Sequence, residues 1–369
     1  ADGMQTVHNL SLDGLRVSQY YDVHTSWANP DHVLAGSQDQ GWQWTDQPAP
    51  AGGTSYDLDQ VISGDYGHAV SSDGTHKYVY SVYPGFVLVH KGESNPTVQQ
   101  VSFPPGESYS WLPFLAPDKG AAGRFFFCAT KLYRYQKSGG SWTPSAWSTQ
   151  DFAQSSGEYL TGVAIAPIHQ THAVAVTNKG KLWWSNDGAV TWSQGTPTGP
   201  SAHYFYGTAV LAKASDPNTF YVGGSGYSNP PVWRTTDGGK TWAPWSTGLP
   251  STLVYSLAEA PDGSGSIFCG TETGAYRRDP GGDWYDILKD DAPLNIYWSA
   301  EAVAATNTIR FGTYGRGMWD YSVDAPCPYE AYGAGAGGAN VLTLTAGTPA
   351  GLGATHVFEV SGASGAHSG

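Results

Sequence analysis

Three carboxylates and one arginine lie in short glycine-rich motifs that recur along the chain. Asp39 lies in SQDQG, Asp65 in SGDYG, Glu272 in GTETG and Arg316 in TYGRG. Glycoside hydrolysis needs two carboxyl groups flanking the bond, about 5–5.5 Å apart for retention or about 6.5–9.5 Å for inversion. These residues could supply such a pair, and Asp39 and Asp65 lie in adjacent repeats.

Aromatic residues open the strands beside these motifs. Together with the charged groups they predict one binding surface: Asp39, Gln40, Asp65, Tyr66, Trp111, Tyr204, Glu272, Trp298 and Arg316. Aromatic rings can stack on sugar rings or grip a peptide, and Tyr and Trp also carry a hydrogen-bonding group. In the alternative interpretation, the rings fill the core and the carboxylates bond to loop N–H groups.

Other chemistries are not favoured. The string Gly224–Gly226 lacks the G-x-S-x-G frame of a serine nucleophile. No His and Cys residues have the spacing of metal ligands. A calcium loop is not indicated either, because calcium needs several oxygen ligands and Asp216 is the one acidic residue in ASDPN. The arginines are few and scattered, which does not favour three of them around one carboxylate. We predict neither a metal nor a cofactor.

A repeated turn indicates which elements position these residues. The sequence SNDGAVTW at Ser185–Trp192 recurs as TDGGKTW at Thr236–Trp242, with partial copies ending at Trp142 and Trp284. Asp followed by Gly makes a tight turn, because the carboxylate accepts backbone N–H groups and Gly adopts positive φ. A short apolar or aromatic strand precedes each copy, and the Trp opens the next strand. The unit is therefore strand, Asp turn, Trp, strand.

This unit resembles the Asp-box, or BNR, hairpin of sialidase-like and sortilin-like β-propellers. The resemblance assigns a structural role to Ser185, Asp187, Gly188, Thr191, Trp192, Asp237, Gly238, Thr241 and Trp242. The strings AGSQDQG, SGDYG, GTETGAYR and GTYGRGMW also resemble repeats of secreted bacterial BNR proteins with a sortilin- or xyloglucanase-like propeller. Xyloglucanase-type enzymes use propeller Asp pairs but hold substrate between two propellers, and this chain has one. A sialidase is not favoured, because no Arg-Ile-Pro-like motif is present.

The spacing of about 40–50 residues between copies is the propeller period. It predicts an all-β fold with a single seven-bladed β-propeller over residues 1–325; six blades or part of a ten-bladed ring are alternatives. The last copy has three strands, so we expect the N-terminal strand Thr6–Leu12 to pair beside Met318–Val323 and close the ring. The Asp turns should then share one face of the disc. The binding residues should lie on the other face.

Composition changes after the last repeat. Residues 326–340 are rich in Gly and Ala and predict a linker. Residues 341–369 contain two alternating runs that predict the start of a truncated C-terminal β domain or, as an alternative, two strands that dock on the propeller. The three cysteines cannot form a closed disulfide framework. We expect Cys128 and Cys269 to be buried and unpaired, because both lie in apolar strands.

The formal net charge is 18 − 31 = −13, which argues against nucleic acid or an anionic membrane as partner. No apolar run approaches the roughly 18 residues of a transmembrane helix. The favoured hypothesis is a non-catalytic secreted or cell-surface propeller that binds a protein or glycan at the channel face. It could also be a subunit of a larger extracellular assembly. The alternative is a glycoside hydrolase using Asp39 and Asp65.

Overall fold

The structure is a computed structural model that describes residues 18–48, 58–93, 97–154, 157–200, 209–288 and 292–323. These ranges contain 27 β-strands and one short 3-10 helix at Phe152–Gln154. The strands form seven antiparallel sheets of consecutive strands, six with four strands and one with three. We call the sheets blades 1 to 7 in chain order.

The strands of the first four blades have the following bounds. Blade 1 contains β1 Tyr20–Thr25, β2 Val33–Ser37, β3 Gly41–Thr45 and β4 Asp59–Ile62. Blade 2 contains β5 Gly67–Val70, β6 Tyr78–Tyr83, β7 Phe86–Lys91 and β8 Thr97–Ser102. Blade 3 contains β9 Leu115–Pro117, β10 Arg124–Cys128, β11 Leu132–Ser138 and β12 Ser141–Ala146. Blade 4 contains β13 Leu160–Ile165, β14 Ala173–Thr177, β15 Leu182–Ser185 and β16 Ser193–Gln194.

The remaining blades repeat this order. Blade 5 contains β17 Ala209–Ala212, β18 Phe220–Gly223, β19 Val232–Thr235 and β20 Ala243–Pro244. Blade 6 contains β21 Val254–Glu259, β22 Ile267–Thr271, β23 Gly274–Arg278 and β24 Trp284–Asp286. Blade 7 contains β25 Tyr297–Val303, β26 Thr308–Thr313 and β27 Met318–Ser322.

The first strand of each blade lies at the centre of a ring. β1 contacts β5, β5 contacts β9, and the series continues through β13, β17 and β21 to β25, which contacts β1 again. The described chain is therefore a closed seven-bladed β-propeller. This confirms the fold class predicted from the repeat period.

Side chains of each blade alternate between its two neighbours, because successive residues of a strand point to opposite faces of the sheet. In β10, Phe125 and Phe127 pack against blade 2, whereas Phe126 and Cys128 pack against blade 4. Equivalent apolar clusters fill the wedges between all the remaining pairs of neighbouring blades. Burying one such Phe contributes about 1.5–3 kcal/mol, so the wedges hold the blades together.

The two described cysteines are buried and unpaired, as predicted. Cys128 lies in β10 and Cys269 in β22, on different blades. Burial raises the pKa of both thiols. They therefore act as small apolar side chains, and Cys327 lies outside the described residues.

The Asp187 turn joins β15 to β16 through hydrogen bonds to one carboxylate. Its Oδ1 accepts the Ser185 hydroxyl at 2.8 Å and the Thr191 N–H at 3.0 Å, and Oδ2 accepts the Thr191 hydroxyl at 2.5 Å. Gly188 adopts a φ of 80°, and the Trp192 indole donates to the Ala189 carbonyl at 3.1 Å. Burial alone would raise the pKa of Asp187, but these donors lower it.

The Asp237 turn of blade 5 has the same bonds. Asp237 Oδ1 accepts the Thr235 hydroxyl at 2.8 Å and the Thr241 N–H at 2.9 Å. The Thr241 hydroxyl donates to Oδ2 at 2.6 Å, and the Trp242 indole donates to Gly239 at 2.8 Å. Gly238 adopts a φ of 78°. Two copies of one sequence pattern thus build one turn geometry.

The predicted latch strand Thr6–Leu12 lies outside the described residues, as do the linker at 326–340 and the β segment at 341–369. The described chain begins beside blade 7. The Ser18 carbonyl accepts the N–H groups of Gly315 at 3.1 Å and Gly317 at 3.4 Å, and Gln19 forms an isolated bridge with Tyr314.

Candidate binding site at the channel mouth

The two faces of the disc are distinguished by their turns. The hairpins between the second and third strands of each blade, such as 38–40, 272–273 and 314–317, lie at one end, which we call the mouth face. The Asp187 and Asp237 turns lie at the opposite end, the turn face. There the Gly188 N–H donates to the Thr171 carbonyl at 2.8 Å, and the Gly238 N–H donates to the Asn218 carbonyl at 2.9 Å. In each blade this bond joins the Asp turn to the connection between the first and second strands.

A β-bulge near the start of several inner strands directs an aromatic residue toward the mouth. The strand register skips Tyr21 in β1, Tyr255 in β21 and Trp298 in β25. A bulge leaves one residue unpaired and re-aims its side chain. The residues just before two of these bulges, Tyr20 and Tyr297, are buried in the wedges instead.

Five aromatic rings from four blades make contact at the mouth. We call Tyr21, Trp111, Tyr255, Trp298 and Tyr314 the mouth cluster. Tyr255 stacks on Trp298 with 4.4 Å between ring centroids, and Trp298 lies 5.3 Å from Tyr314. Tyr21 contacts Trp298 edge-on at 5.4 Å and Trp111 at 6.2 Å. The Trp111 side chain, which precedes blade 3, is 59% exposed.

The mouth cluster has acidic groups at one end from blades 1 and 2. The Asp65 Oδ1 accepts the Asp39 N–H at 3.0 Å, and the Gly64 N–H donates to the Asp39 carbonyl at 3.3 Å. Asp39 is exposed and has a φ of 58°. Burial raises the pKa of Tyr21, and Tyr314, Asp65 and Asp39 raise it further. The structure thus brings Asp39 and Asp65 together, but one oxygen of Asp65 is used to hold the loop.

A third carboxylate lies at the other end of the cluster. Glu272 accepts the hydroxyl of Tyr227, whose side chain is 58% exposed. Burial raises the pKa of Tyr255 to about 12, helped by the Glu272 charge and by Tyr227. The phenol of Tyr255 is therefore a neutral hydrogen-bonding group at any physiological pH.

Polar side chains complete the mouth face. Gln40 is exposed, and its carbonyl accepts the Gln60 amide at 2.6 Å. The Tyr314 hydroxyl donates to Gln38. Arg316 is exposed in the β26–β27 hairpin, and its guanidinium forms no ion pair with a described residue.

One predicted residue, Tyr66, does not join this surface. Tyr66 is 1% exposed and packs against Trp42, Tyr83 and Phe86 in the wedge between blades 1 and 2. Its ring has no surface to offer a ligand, so its placement gives no support to a binding role. Tyr204 lies outside the described residues.

Sequence reasoning did not single out Tyr314, Tyr227 or Gln38. Tyr314 could have been found, because it lies in the TYGRG string beside Arg316. Tyr227 lies in a longer β18–β19 connection without a motif, and its contact with Glu272 joins two blades.

Within the described ranges, no group of three or more His, Cys, Asp or Glu side chains is arranged to hold a metal ion. In that same part of the chain, no helix has the length and apolarity needed to span a membrane.

Neither a protein-family model nor a curated protein matches this sequence. Solved structures do match its fold. The extracellular domain of the one-component system BT4673 from B. thetaiotaomicron aligns with a TM-score of 0.58 at 17% identity, covering 84% of this chain and 39% of that one. The GH74 xyloglucanase from Xanthomonas campestris aligns with a TM-score of 0.60 at 15% identity, covering 84% and 52%.

A third match, YCF48 bound to D1 peptide, has a TM-score of 0.57 at 13% identity and covers 84% of this chain and 93% of that one. The chain therefore spans about two-fifths to half of the first two proteins and nearly all of the third. These matches agree with the propeller predicted from the sequence. At such low identity they establish the shared fold and nothing finer.

Proposed function

We propose that this chain is a non-catalytic extracellular propeller that binds a glycan or a protein segment at the mouth face. The observation that carries the proposal is the mouth cluster, a continuous band of five rings with carboxylates at both ends. Ligand sites are usually lined by aromatic and apolar side chains with a few polar groups that fix orientation. The mouth has this composition.

A glycan fits the chemistry well. The apolar face of a sugar ring can stack on Trp111 or Trp298, and its hydroxyl groups can donate to Asp39 and Glu272. The acidic net charge of −13 gives no advantage to anionic polymers. A protein segment would use the same rings as anchors, since Trp and Tyr dominate the energetics of many interfaces.

One neighbouring structure supports the extracellular setting, and the other two offer the two kinds of ligand. One is an extracellular domain, one is a xyloglucanase, and one is bound to a peptide. Because the chain spans only part of the first two, a place in a larger extracellular assembly also belongs to the proposal.

Affinity gel electrophoresis against xyloglucan, β-glucan and xylan tests the glycan arm, and peptide arrays test the protein arm. We expect Trp111→Ala and Trp298→Ala each to weaken binding by about tenfold or more, as for anchor residues at interfaces. The matched control is Trp27→Ala, because Trp27 is 68% exposed in the β1–β2 connection on the turn face. Equal losses in all three variants would contradict a mouth-face site.

A second candidate, a glycoside hydrolase, rests on one observation. The loops of blades 1 and 2 bring Asp39 and Asp65 into contact, with a hydrogen bond of 3.0 Å from the Asp39 backbone to the Asp65 carboxylate. Release of reducing sugar from the same polysaccharides tests it. Activity that disappears in Asp39→Asn would replace the binding proposal by this one, because Asp39 does not use its carboxylate to hold the loop.

A further inference from the structure

A cavity of about 220 Å³ lies on the turn face between blades 5 and 6, away from the mouth. It is lined by three cationic side chains, Lys213, Arg234 and Arg278, and by the rings of Tyr221 and Trp245. This concentration of positive charge contrasts with the net charge of −13 of the whole chain. The cavity is far larger than the space that one water molecule needs.

The arginine of blade 5 occupies a position that recurs in two other blades. Arg134 of β11 is paired across the sheet with Phe126, Arg234 of β19 with Tyr221, and Arg277 of β23 with Phe268. In each of these blades the arginine lies on the third strand. The residue two positions before it accepts, through its backbone carbonyl, the N–H of the residue that follows the fourth strand. The three arginines therefore occupy equivalent positions in their sheets.

Two of these arginines have a carboxylate on their Nε atom, and one does not. Arg134 Nε donates to Asp118 at 2.7 Å, and Arg277 Nε donates to Asp279 at 2.7 Å. Arg234 Nε is buried and meets no hydrogen-bond acceptor among the described residues. A buried N–H without a partner is costly, and such groups in native proteins call for an explanation such as a bound ion.

The strand register explains why Arg234 lacks this partner. Asp118 lies two residues after Ala116, which pairs with Phe126. The equivalent residue of blade 5 lies two residues after Leu211, which pairs with Tyr221, and it is Lys213. A carboxylate that neutralises the arginine in blade 3 is thus replaced by an ammonium in blade 5.

Blade 6 adds a second cation to the same cavity. The Arg278 guanidinium lies 4.2 Å from the centroid of the Trp245 ring, and the Arg234 guanidinium lies 5.7 Å from it. Arg278 Nε is also buried without an acceptor in the described chain. Its nearest carboxylate is Asp283, at 4.0 Å and 65% exposed. Burial lowers the pKa of Arg278, and the Arg234 charge lowers it further.

The carboxylates near the cavity are already engaged. Asp279 lines it but accepts the hydroxyl of Ser266 at 2.6 Å and that of Tyr285 at 3.0 Å, besides Arg277. Asp216 of blade 5 accepts its own turn's groups, the Asn218 N–H at 3.0 Å and the Thr219 hydroxyl at 2.6 Å, and these bonds, with weaker help from the charges of Lys213 and Arg234, lower its pKa. Glu259 of blade 6 accepts the Ala214 N–H at 2.6 Å.

We infer that this cavity is a binding site for a small oxyanion, held by Lys213, Arg234 and Arg278. The ligand supplies the negative charge that the Asp118 carboxylate supplies in blade 3. Guanidinium groups match carboxylate, sulfate and phosphate oxygens in paired hydrogen bonds, and the lysine adds a mobile positive charge. The site is separate from the mouth face and does not depend on the function proposed there.

Isothermal titration calorimetry of the full chain tests this site with three probes: sodium sulfate, inorganic phosphate and sodium glucuronate, at ionic strength held constant with sodium chloride. The decisive variant is Lys213→Asp, which reproduces the carboxylate of blade 3 and keeps both arginines. We expect at least a tenfold weaker affinity in this variant and in Arg234→Gln. The matched control is Lys179→Asp, the same charge change at an exposed residue of the β14–β15 hairpin, which should bind like the unchanged protein.

Each outcome is informative. Binding of sulfate or phosphate alone supports a tetrahedral dianion, binding of glucuronate alone supports a carboxylate ligand, and binding of both supports a general oxyanion site. No heat with any probe overturns the inference. Equal affinity in the unchanged protein and Lys213→Asp also overturns it, as does an equal loss in Lys179→Asp, because either result would assign the binding to general electrostatics.

Discussion

Blades 3 and 5 each carry an arginine at the equivalent position of the third strand, but the two arginines have different neighbours. In blade 3, Arg134 stacks 4.5 Å from the Trp147 centroid and donates to Asp118. In blade 5, Arg234 lies 5.7 Å from the Trp245 centroid, and a lysine replaces the aspartate. In blade 3, the Asp118 carboxylate forms ion pairs with two arginines of the same blade, Arg124 and Arg134. In blade 5 the positive charges of Lys213 and Arg234 face a cavity that Arg278 of blade 6 also lines. The exchange of Asp for Lys at one position thus removes the internal partner of the arginine.

The largest effect is expected when blade 3 is given the charges of blade 5. In Asp118→Lys, Arg134 and Arg124 lose a carboxylate that lies 2.7 Å and 3.1 Å away and is 11% exposed. We expect the free energy of unfolding in urea to fall by about 3–5 kcal/mol, because a largely buried charge loses its partner.

The control for this variant is Asp151→Lys, which reverses an exposed carboxylate 3.8 Å from Lys131. It should cost about 1 kcal/mol, because it removes a surface pair and the bond that Asp151 Oδ1 accepts from the Ala153 N–H at 2.9 Å. If both variants lost the same free energy, blade 3 would not depend on its ion pair and the contrast with blade 5 would lose its energetic basis.

A smaller effect should distinguish the two arginines directly. Arg134→Gln should lower the free energy of unfolding by about 2 kcal/mol, since a charge-assisted hydrogen bond to a buried carboxylate is lost. Arg234→Gln should change it by less than about 1 kcal/mol in an oxyanion-free buffer, because the lost ring contacts with Tyr221 and Trp245 are offset by removal of an N–H without a partner and of a repulsive neighbour of Arg278. Urea unfolding of both variants under identical conditions measures the difference, and equal losses would refute the contrast.

The smallest effect is expected from giving blade 5 the charge of blade 3. Lys213→Asp should raise the free energy of unfolding by about 1 kcal/mol at low ionic strength, because Arg234 gains an acceptor. The gain should shrink as sodium chloride is added, since exposed charges are screened. A loss of stability at low salt would mean that residue 213 does not occupy the place of Asp118.

The propeller itself was predictable because its signals are local. An Asp turn, a Trp and an alternating strand fit within about 20 residues, and the unit at Ser185–Trp192 folds in the same way wherever its sequence is intact. The partial copy that ends at Trp284 keeps a turn but lacks the carboxylate hydrogen bonds of the two full copies. There Asp279 accepts the Arg277 guanidinium and the Ser266 hydroxyl.

The candidate sites were only partly predictable, because they depend on packing between blades. Adjacent residues such as Tyr20 and Tyr21 are divided between wedge and mouth by a one-residue bulge, which no pattern in the sequence marks. Tyr66 was assigned to the mouth on the same aromatic pattern, but it fills a wedge. Arg234 and Arg278 looked scattered, yet they lie about one repeat apart, and that spacing places them on neighbouring blades.

The bulges at Tyr21, Tyr255 and Trp298 also bear on how such a protein can change over evolutionary time. A residue that is unpaired in the ladder and absent from the wedges can be exchanged without disturbing either. Blades 1, 6 and 7 therefore each carry one adjustable position toward the channel, while the neighbouring residues in sequence preserve the architecture. New ligand preferences can arise by single exchanges at these positions, blade by blade, on an unaltered scaffold.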